Sequence, residues 1–144
     1  MKKGLTVLLL LCLLSTGTAG CADRSGSKSA GGVDVDLTVL SGTMVYAEVF
    51  NILENPDDYL GKTIRAKGPY AASWYEGGYY HFLIIEDASS CCAEGLMFIW
   101  SGGHSYPDDY PEERTNIEIT GVFNRYEGFD FPYYYLAVDE LAVL

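Results

Sequence analysis

Cys91 and Cys92 are neighbours in the chain, and adjacent thiols have chemistry that isolated ones lack. They lie in the segment Glu86-Asp87-Ala88-Ser89-Ser90-Cys91-Cys92-Ala93-Glu94, which adds three carboxylates within a few residues. Three outcomes are open to such a pair. The two sulfurs can close a vicinal disulfide, a strained ring that is easily reduced and therefore suits a switch. They can act as two thiolates on one soft metal ion such as zinc or copper, with Asp87 as the nearest oxygen donor. They can also pack as small, inert hydrophobes. Without a C-x-x-C spacing the pair alone does not select among these.

Further donors depend on geometry. If the strands flanking 87–93 form a hairpin, His81 lies six residues down one strand from Asp87, roughly 20 Å away at about 3.3 Å per residue. His104 follows the far end of the next strand. Neither histidine is expected at the cysteines, whereas Glu86, Glu94, Asp57 and Asp58 are expected at that end. A second set of residues is expected at the opposite end: Trp74, Tyr75, Glu76, His81, Trp100, His104, Tyr126, Phe129 and Asp130. Of these, Trp74, Tyr75, His81, Trp100, Tyr126 and Phe129 are the candidate ligand surface, since aromatic rings there can stack on sugars or bases; the acidic charge disfavours bases and leaves sugars, peptides or a protein partner open. Tyr106 to Glu113 holds two Tyr-Pro units among four acids. It lacks the Gly-punctuated spacing of a calcium loop and reads as a rigid, solvated connector.

The elements that must position these residues follow from periodicity. Thr43 to Glu54 places Val45, Val49, Ile52 and Leu53 on one face at helical spacing. Thr43 is the expected N-cap, and Asn55-Pro56 ends the helix. The remainder reads as five strands: Thr63–Trp74, Tyr79–Glu86, Glu94–Trp100, Asn116–Tyr126 and Pro132–Leu144. Tyr75-Glu76-Gly77-Gly78 is a hairpin turn. Gly68 and Gly121 stand inside strands, where glycine permits the sharp bends that barrel closure needs.

The expected class is therefore all-β, a five-stranded barrel behind one N-terminal α-helix, with a β-sandwich as the alternative. The pieces GKTIRAKG and NIEITGVF resemble those of the oligonucleotide/oligosaccharide-binding (OB) fold, a five-stranded partly open barrel. The helix usual between its third and fourth strands is replaced here by SGGHSYPDDYPEER. In that fold the loops after the first and fourth strands border the ligand surface.

The N-terminus carries its own signal. Lys2 and Lys3 precede an apolar run, Leu5 to Leu14, then small residues, Ser15 to Gly20, and then Cys21. This is the layout of a secretory signal peptide. The run is about half of the roughly 20 residues a spanning helix needs. The segment resembles a bacterial lipobox, with Thr18 where that motif usually carries Leu, and the resemblance implies acylation of Cys21. The expected organisation is a signal peptide over 1–20, a lipidated tether over 21–42 and an OB-like domain over 43–144; the second half of the tether, with its apolar Val33 to Leu40, either packs on the domain or stays loose. Localisation follows as the extracytoplasmic face of the cell membrane, held by lipid.

Composition narrows the partners. The chain has 144 residues and a net charge of −11, and loss of Lys2 and Lys3 with the signal makes the mature chain more acidic still. Such a surface repels phosphate backbones, so no nucleic acid is expected. Cationic partners, metal ions included, are compatible with it. There is no G-x-S-x-G, H-E-x-x-H, phosphate loop or dinucleotide fingerprint, and no enzymatic activity is expected.

NPDDYLGK, D-A-x-x-C-C and YPDDYPE together resemble small uncharacterised lipoproteins of Gram-positive bacteria. Ser90 to Ala93 (SCCA) is more distantly similar to the soluble C-terminal domain of bacterial membrane proteins associated with predicted permeases. These resemblances imply an envelope binding or accessory module, in metal handling or serving a membrane transporter. The alternatives are a thiol-redox protein using Cys91 and Cys92, and a structural interaction domain of the envelope.

Overall fold

The computed structural model describes residues 32–128 and 131–144. Its elements are β1 (Val35–Asp36), α1 (Gly42–Glu54), β2 (Thr63–Tyr75), β3 (Gly78–Glu86), β4 (Ala93–Trp100), β5 (Asn116–Glu127) and β6 (Pro132–Val143). Short 3₁₀ turns, Leu37–Val39 and Pro56–Tyr59, flank the helix. The described residues are mostly β: six strands in one barrel-like sheet with a single helix among them.

β2 organises the sheet. Its first half, Thr63 to Pro69, pairs antiparallel with β5. Its second half, Tyr70 to Tyr75, pairs antiparallel with β3. The ladder continues from β3 to β4, from β4 to β6 in parallel, and from β6 to β5. The change of partner falls at Gly68-Pro69. A Cβ at Gly68 would stand 2.3 Å from the carbonyl oxygen of Ile84, so only glycine lets β3 approach there. Gly121 in β5 plays the same part, with its Cβ position 2.5 Å from the carbonyl oxygen of Ala137. The β5–β6 register slips between Thr120 and Gly121, a bulge that bends the pair.

Alternation along the strands sends Ile64, Ala66, Tyr70, Leu83, Ile85, Leu96, Phe98, Ile117, Ile119, Phe123, Leu136 and Val138 into one core. α1 adds Val49 and Ile52, with Val45 and Leu53 half-buried beside them, as the helical spacing predicts. The helix starts earlier than expected. Ser41 is the N-cap residue, without a side-chain bond, and Gly42 is already helical, so Thr43 does not cap. Beyond its C-terminal end Tyr59 folds back. Its hydroxyl donates to Glu48 Oε1 at 2.7 Å and accepts from Asn51 Nδ2 at 2.6 Å. Burial and the Glu48 carboxylate push its pKa up to about 12.

Two local features differ from or sharpen the sequence reading. The later part of the stretch expected as tether packs on the domain: Val35 and Asp36 pair in parallel with Ile64 and Arg65, and Leu37 is buried. Arg65 then spans three strands, bonding Glu118 at 2.5–2.9 Å and facing Asp36 at 3.9 Å. Being half-exposed, these pairs fix register more than they add stability. The β2–β3 hairpin closes through Glu76 (φ 46°) and Gly77 (φ 89°), the two positive φ angles of a type I′ turn.

Gly68→Ala is expected to destabilise the fold by about 1–3 kcal/mol or more, because the clash is with backbone that cannot rotate away. Gly78→Ala, with open space around its Cβ position, is expected to be close to neutral. Urea denaturation of both variants checks the contrast.

Candidate functional site

The β3–β4 connection is a six-residue loop built around one carboxylate. Asp87 Oδ1 accepts from the backbone amides of Ser89 at 3.2 Å, Cys91 at 3.0 Å and Cys92 at 3.5 Å. Asp87 Oδ2 accepts from Ser89 Oγ at 2.9 Å and from Cys91 Sγ at 3.3 Å. The Asp87 amide donates to the Cys92 carbonyl at 2.9 Å, and the Ser90 amide donates to the Asp87 carbonyl at 3.0 Å. Ser90 takes a left-handed conformation, φ 53°, which turns the chain so that both thiols emerge on the same side as the carboxylate.

Cys91 and Cys92 are free and exposed, with their sulfurs 3.6 Å apart. The Ser89 hydroxyl holds the Asp87 carboxyl below its usual range. Partial burial opposes this, and the Cys91 thiol with the Cys91 and Cys92 amides reinforces it. Cys92 moves the other way. Its hydrogen bond with Cys91 and the Cys91 charge push its thiol up, helped by burial and by the carboxylates of Asp87 and Glu94. Tyr46, on α1, is raised by burial and then by Cys92, Glu94, Asp87 and Cys91, so the helix flanks this loop.

Asp87, Cys91 and Cys92 lie together: one donor atom from each is within 4.8 Å of the others. Among the described residues no other group of three or more His, Cys, Asp or Glu does this. Asp57 is not at the loop. It pairs with Arg125 at 3.7 Å and accepts from the Tyr134 hydroxyl at 3.4 Å. The chain reverses after α1 toward the ends of β5 and β6, so Asp57 follows those strands. The two histidines are also away from the thiols, as the hairpin geometry predicts.

The expected aromatic surface divides in two. Strand alternation sends Trp74 and Tyr75 to opposite faces. On the first face a train of rings crosses the end of the sheet. Trp74 meets Tyr79 at 4.9 Å, Tyr79 meets Tyr106 at 4.3 Å, and Tyr106 meets His81 at 5.4 Å. His81 then stacks on Tyr110 at 4.0 Å, and Trp100 stacks on His104 at 3.6 Å. On the second face Tyr75 meets Tyr80, and Tyr126 stacks on Tyr133 at 5.1 Å. A cavity of about 370 Å³ is lined by Tyr80, His81, Met97, Trp100, His104 and Tyr126 among others. It shares Tyr80 and Met97 with a second hollow of about 340 Å³ that reaches Tyr75, Phe82 and Tyr133. Phe129 and Asp130 lie outside the described residues, as does Cys21.

Three residues of this end escaped the sequence reading. Tyr106 and Tyr110 are not part of a purely solvated connector. Their rings pack half-buried against the core, on a turn closed by Asp109 N to Ser105 O at 2.9 Å. Their spacing of four residues was the available signal, masked by the surrounding Pro and Asp. The third is Tyr70, fully buried, whose hydroxyl bonds His81 Nδ1 at 2.7 Å. His81 is therefore a partnered core residue at the base of the cavity rather than an exposed contact, and burial lowers its pKa.

Tyr70→Phe is expected to cost about 1–3 kcal/mol by leaving His81 Nδ1 without its buried partner, and the double variant Tyr70→Phe/His81→Phe less than the sum of the single ones. Because His81 is harder to protonate folded than unfolded, the unfolded chain binds more protons below its ordinary value of 6.5. Stability contributed by the neutral ring is full above that pH and declines as pH falls through it, levelling off below the folded pKa. His81→Phe is expected to flatten that decline, read by thermal melts between about pH 7.5 and 5.

No family model matches the chain. The comparison with curated proteins likewise gives no match.

Proposed function

We propose that the chain is a lipid-anchored, extracytoplasmic binding module of OB-like barrel architecture, and that its Asp87–Cys92 loop takes up a thiophilic metal ion. The observation that carries this is the gathering of Asp87, Cys91 and Cys92 within 4.8 Å on an exposed loop. Two thiolates and a carboxylate form a donor set for zinc or copper. The pairing of β2 with both β3 and β5 supports the barrel, since that return is what joins the first and last strands of the ladder. The layout of residues 1–21 supports the anchor, and the acidic composition supports a cationic ligand over nucleic acid. The module acts by binding, not by catalysis, as an accessory to a membrane transporter or other envelope protein.

The second reading is a thiol-redox role, favoured by the 3.6 Å contact between the two sulfurs.

Native and denaturing mass spectrometry of the mature protein, purified without chelator, separates the two. One bound zinc or copper, lost in Cys91→Ser/Cys92→Ser, is the expected result. A metal-free protein two hydrogens short in mass would transfer the proposal to the redox reading; a metal-free dithiol that takes up no added metal would end the metal reading, and one that also fails to oxidise reversibly would end both. Metal uptake is expected to weaken in acid, because the ion must displace the thiol protons. Cys21→Ser is expected to release the protein into the medium, and retention at the membrane would remove the anchor.

A further inference from the structure

The spacing of the donors goes further than the presence of a metal ion: it selects a coordination geometry. Two thiolates on zinc sit at about 2.3 Å from the ion. With sulfurs 3.6 Å apart, that bond length gives an S–metal–S angle of about 103°, close to tetrahedral. A carboxylate oxygen at about 2.0 Å across a tetrahedral angle would stand about 3.5 Å from the same sulfur. Asp87 Oδ2 stands 3.3 Å from Cys91 Sγ. A linear two-thiolate ion, the arrangement copper(I) favours, would instead require the sulfurs to part to about twice a metal–sulfur bond.

The donor count is the second observation. Structural zinc sites are closed by four protein donors, whereas sites that exchange ligands keep a position open. Among the described residues the cluster has three members, both cysteines are exposed, and no fourth His, Cys, Asp or Glu joins them. Resting on the proposed metal-binding reading, we infer that the loop holds one tetrahedral zinc-class ion through Cys91 Sγ, Cys92 Sγ and an Asp87 oxygen. Its fourth position is open to an imidazole or thiolate from an incoming protein, which makes it a hand-over site rather than a structural one. Both thiol protons leave to solvent as the ion binds, and no redox change is involved.

Cobalt(II) is the probe, added to the apo form of the mature protein and read by visible absorption. The expected spectrum has tetrahedral d–d bands and sulfur-to-cobalt charge transfer at one ion per chain, abolished by zinc and by Cys91→Ser/Cys92→Ser. Added imidazole is expected to shift the d–d bands while cobalt stays bound, and Tyr46→Phe, at the flanking helix residue, to leave the spectrum unchanged. A spectrum unmoved by imidazole, or altered by Tyr46→Phe, would overturn the open position. Tight copper(I) uptake without cobalt or zinc uptake would overturn the geometry while leaving the metal-binding reading intact. Failure to bind any of the three ions would remove that reading itself.

Discussion

The thirteen residues of β2 pass from one long ladder to another, and they do so by bending at one point. Thr63 to Pro69 belong to β5, and Tyr70 to Tyr75 belong to β3. At the change-over the backbone of Ile84 comes so close to Gly68 that no side chain fits between. The close approach places the C-terminal half of β3 over the helix side of the domain. The β3–β4 loop is thereby carried to α1 and Tyr46. The same bend swings Tyr70 under His81, so the floor of the aromatic end depends on it as well. Both candidate regions thus hang from one strand.

The two regions are organised by opposite means. At the loop a single carboxylate accepts from three amides, a hydroxyl and a thiol. The Ser89 hydroxyl first, then the Cys91 thiol and the converging amides, favour its charged form, and its lowered pKa follows. The thiols it gathers are in water and can exchange ligands. At the far end the organising contacts are between rings, although the connector that brings Tyr106 and Tyr110 is acidic. His81 is kept neutral by burial, and rings pack edge-to-face or stacked around it. Offset and tilted contacts of this kind suit ring quadrupoles and give the end a defined shape. One end is thus shaped by electrostatics and the other by packing.

How legible each part was in the sequence depended on the reach of the interactions involved. Ile64 and Ala66, Ile117 and Ile119, and Val49 with Ile52 announce their elements because burial repeats at the period of the element itself. The Asp87–Cys92 cluster was legible for a related reason: all of its bonds lie within six residues. β1 was not, because Val35 and Asp36 become a strand only by meeting Ile64 and Arg65, and two residues carry no period. Asp57 was misplaced because its position is set by Arg125 and Tyr134, distant in the chain. Tyr106 and Tyr110 were hidden by a composition that reads as solvent-facing, although their rings found His81.

The way the chain enters the domain has a mechanical side. Asp34 joins Thr63 through two hydrogen bonds, each 2.9–3.0 Å. β1 then contributes two residues of pairing, and Leu37 one buried side chain. Any pull arriving along the chain from its N-terminal side meets these contacts first. They are few, lie at the edge of the sheet and end on Thr63, Ile64 and Arg65 at the start of β2. The entry is therefore a shallow attachment, made at the start of β2 and apart from the bend at Gly68 and what is suspended from it.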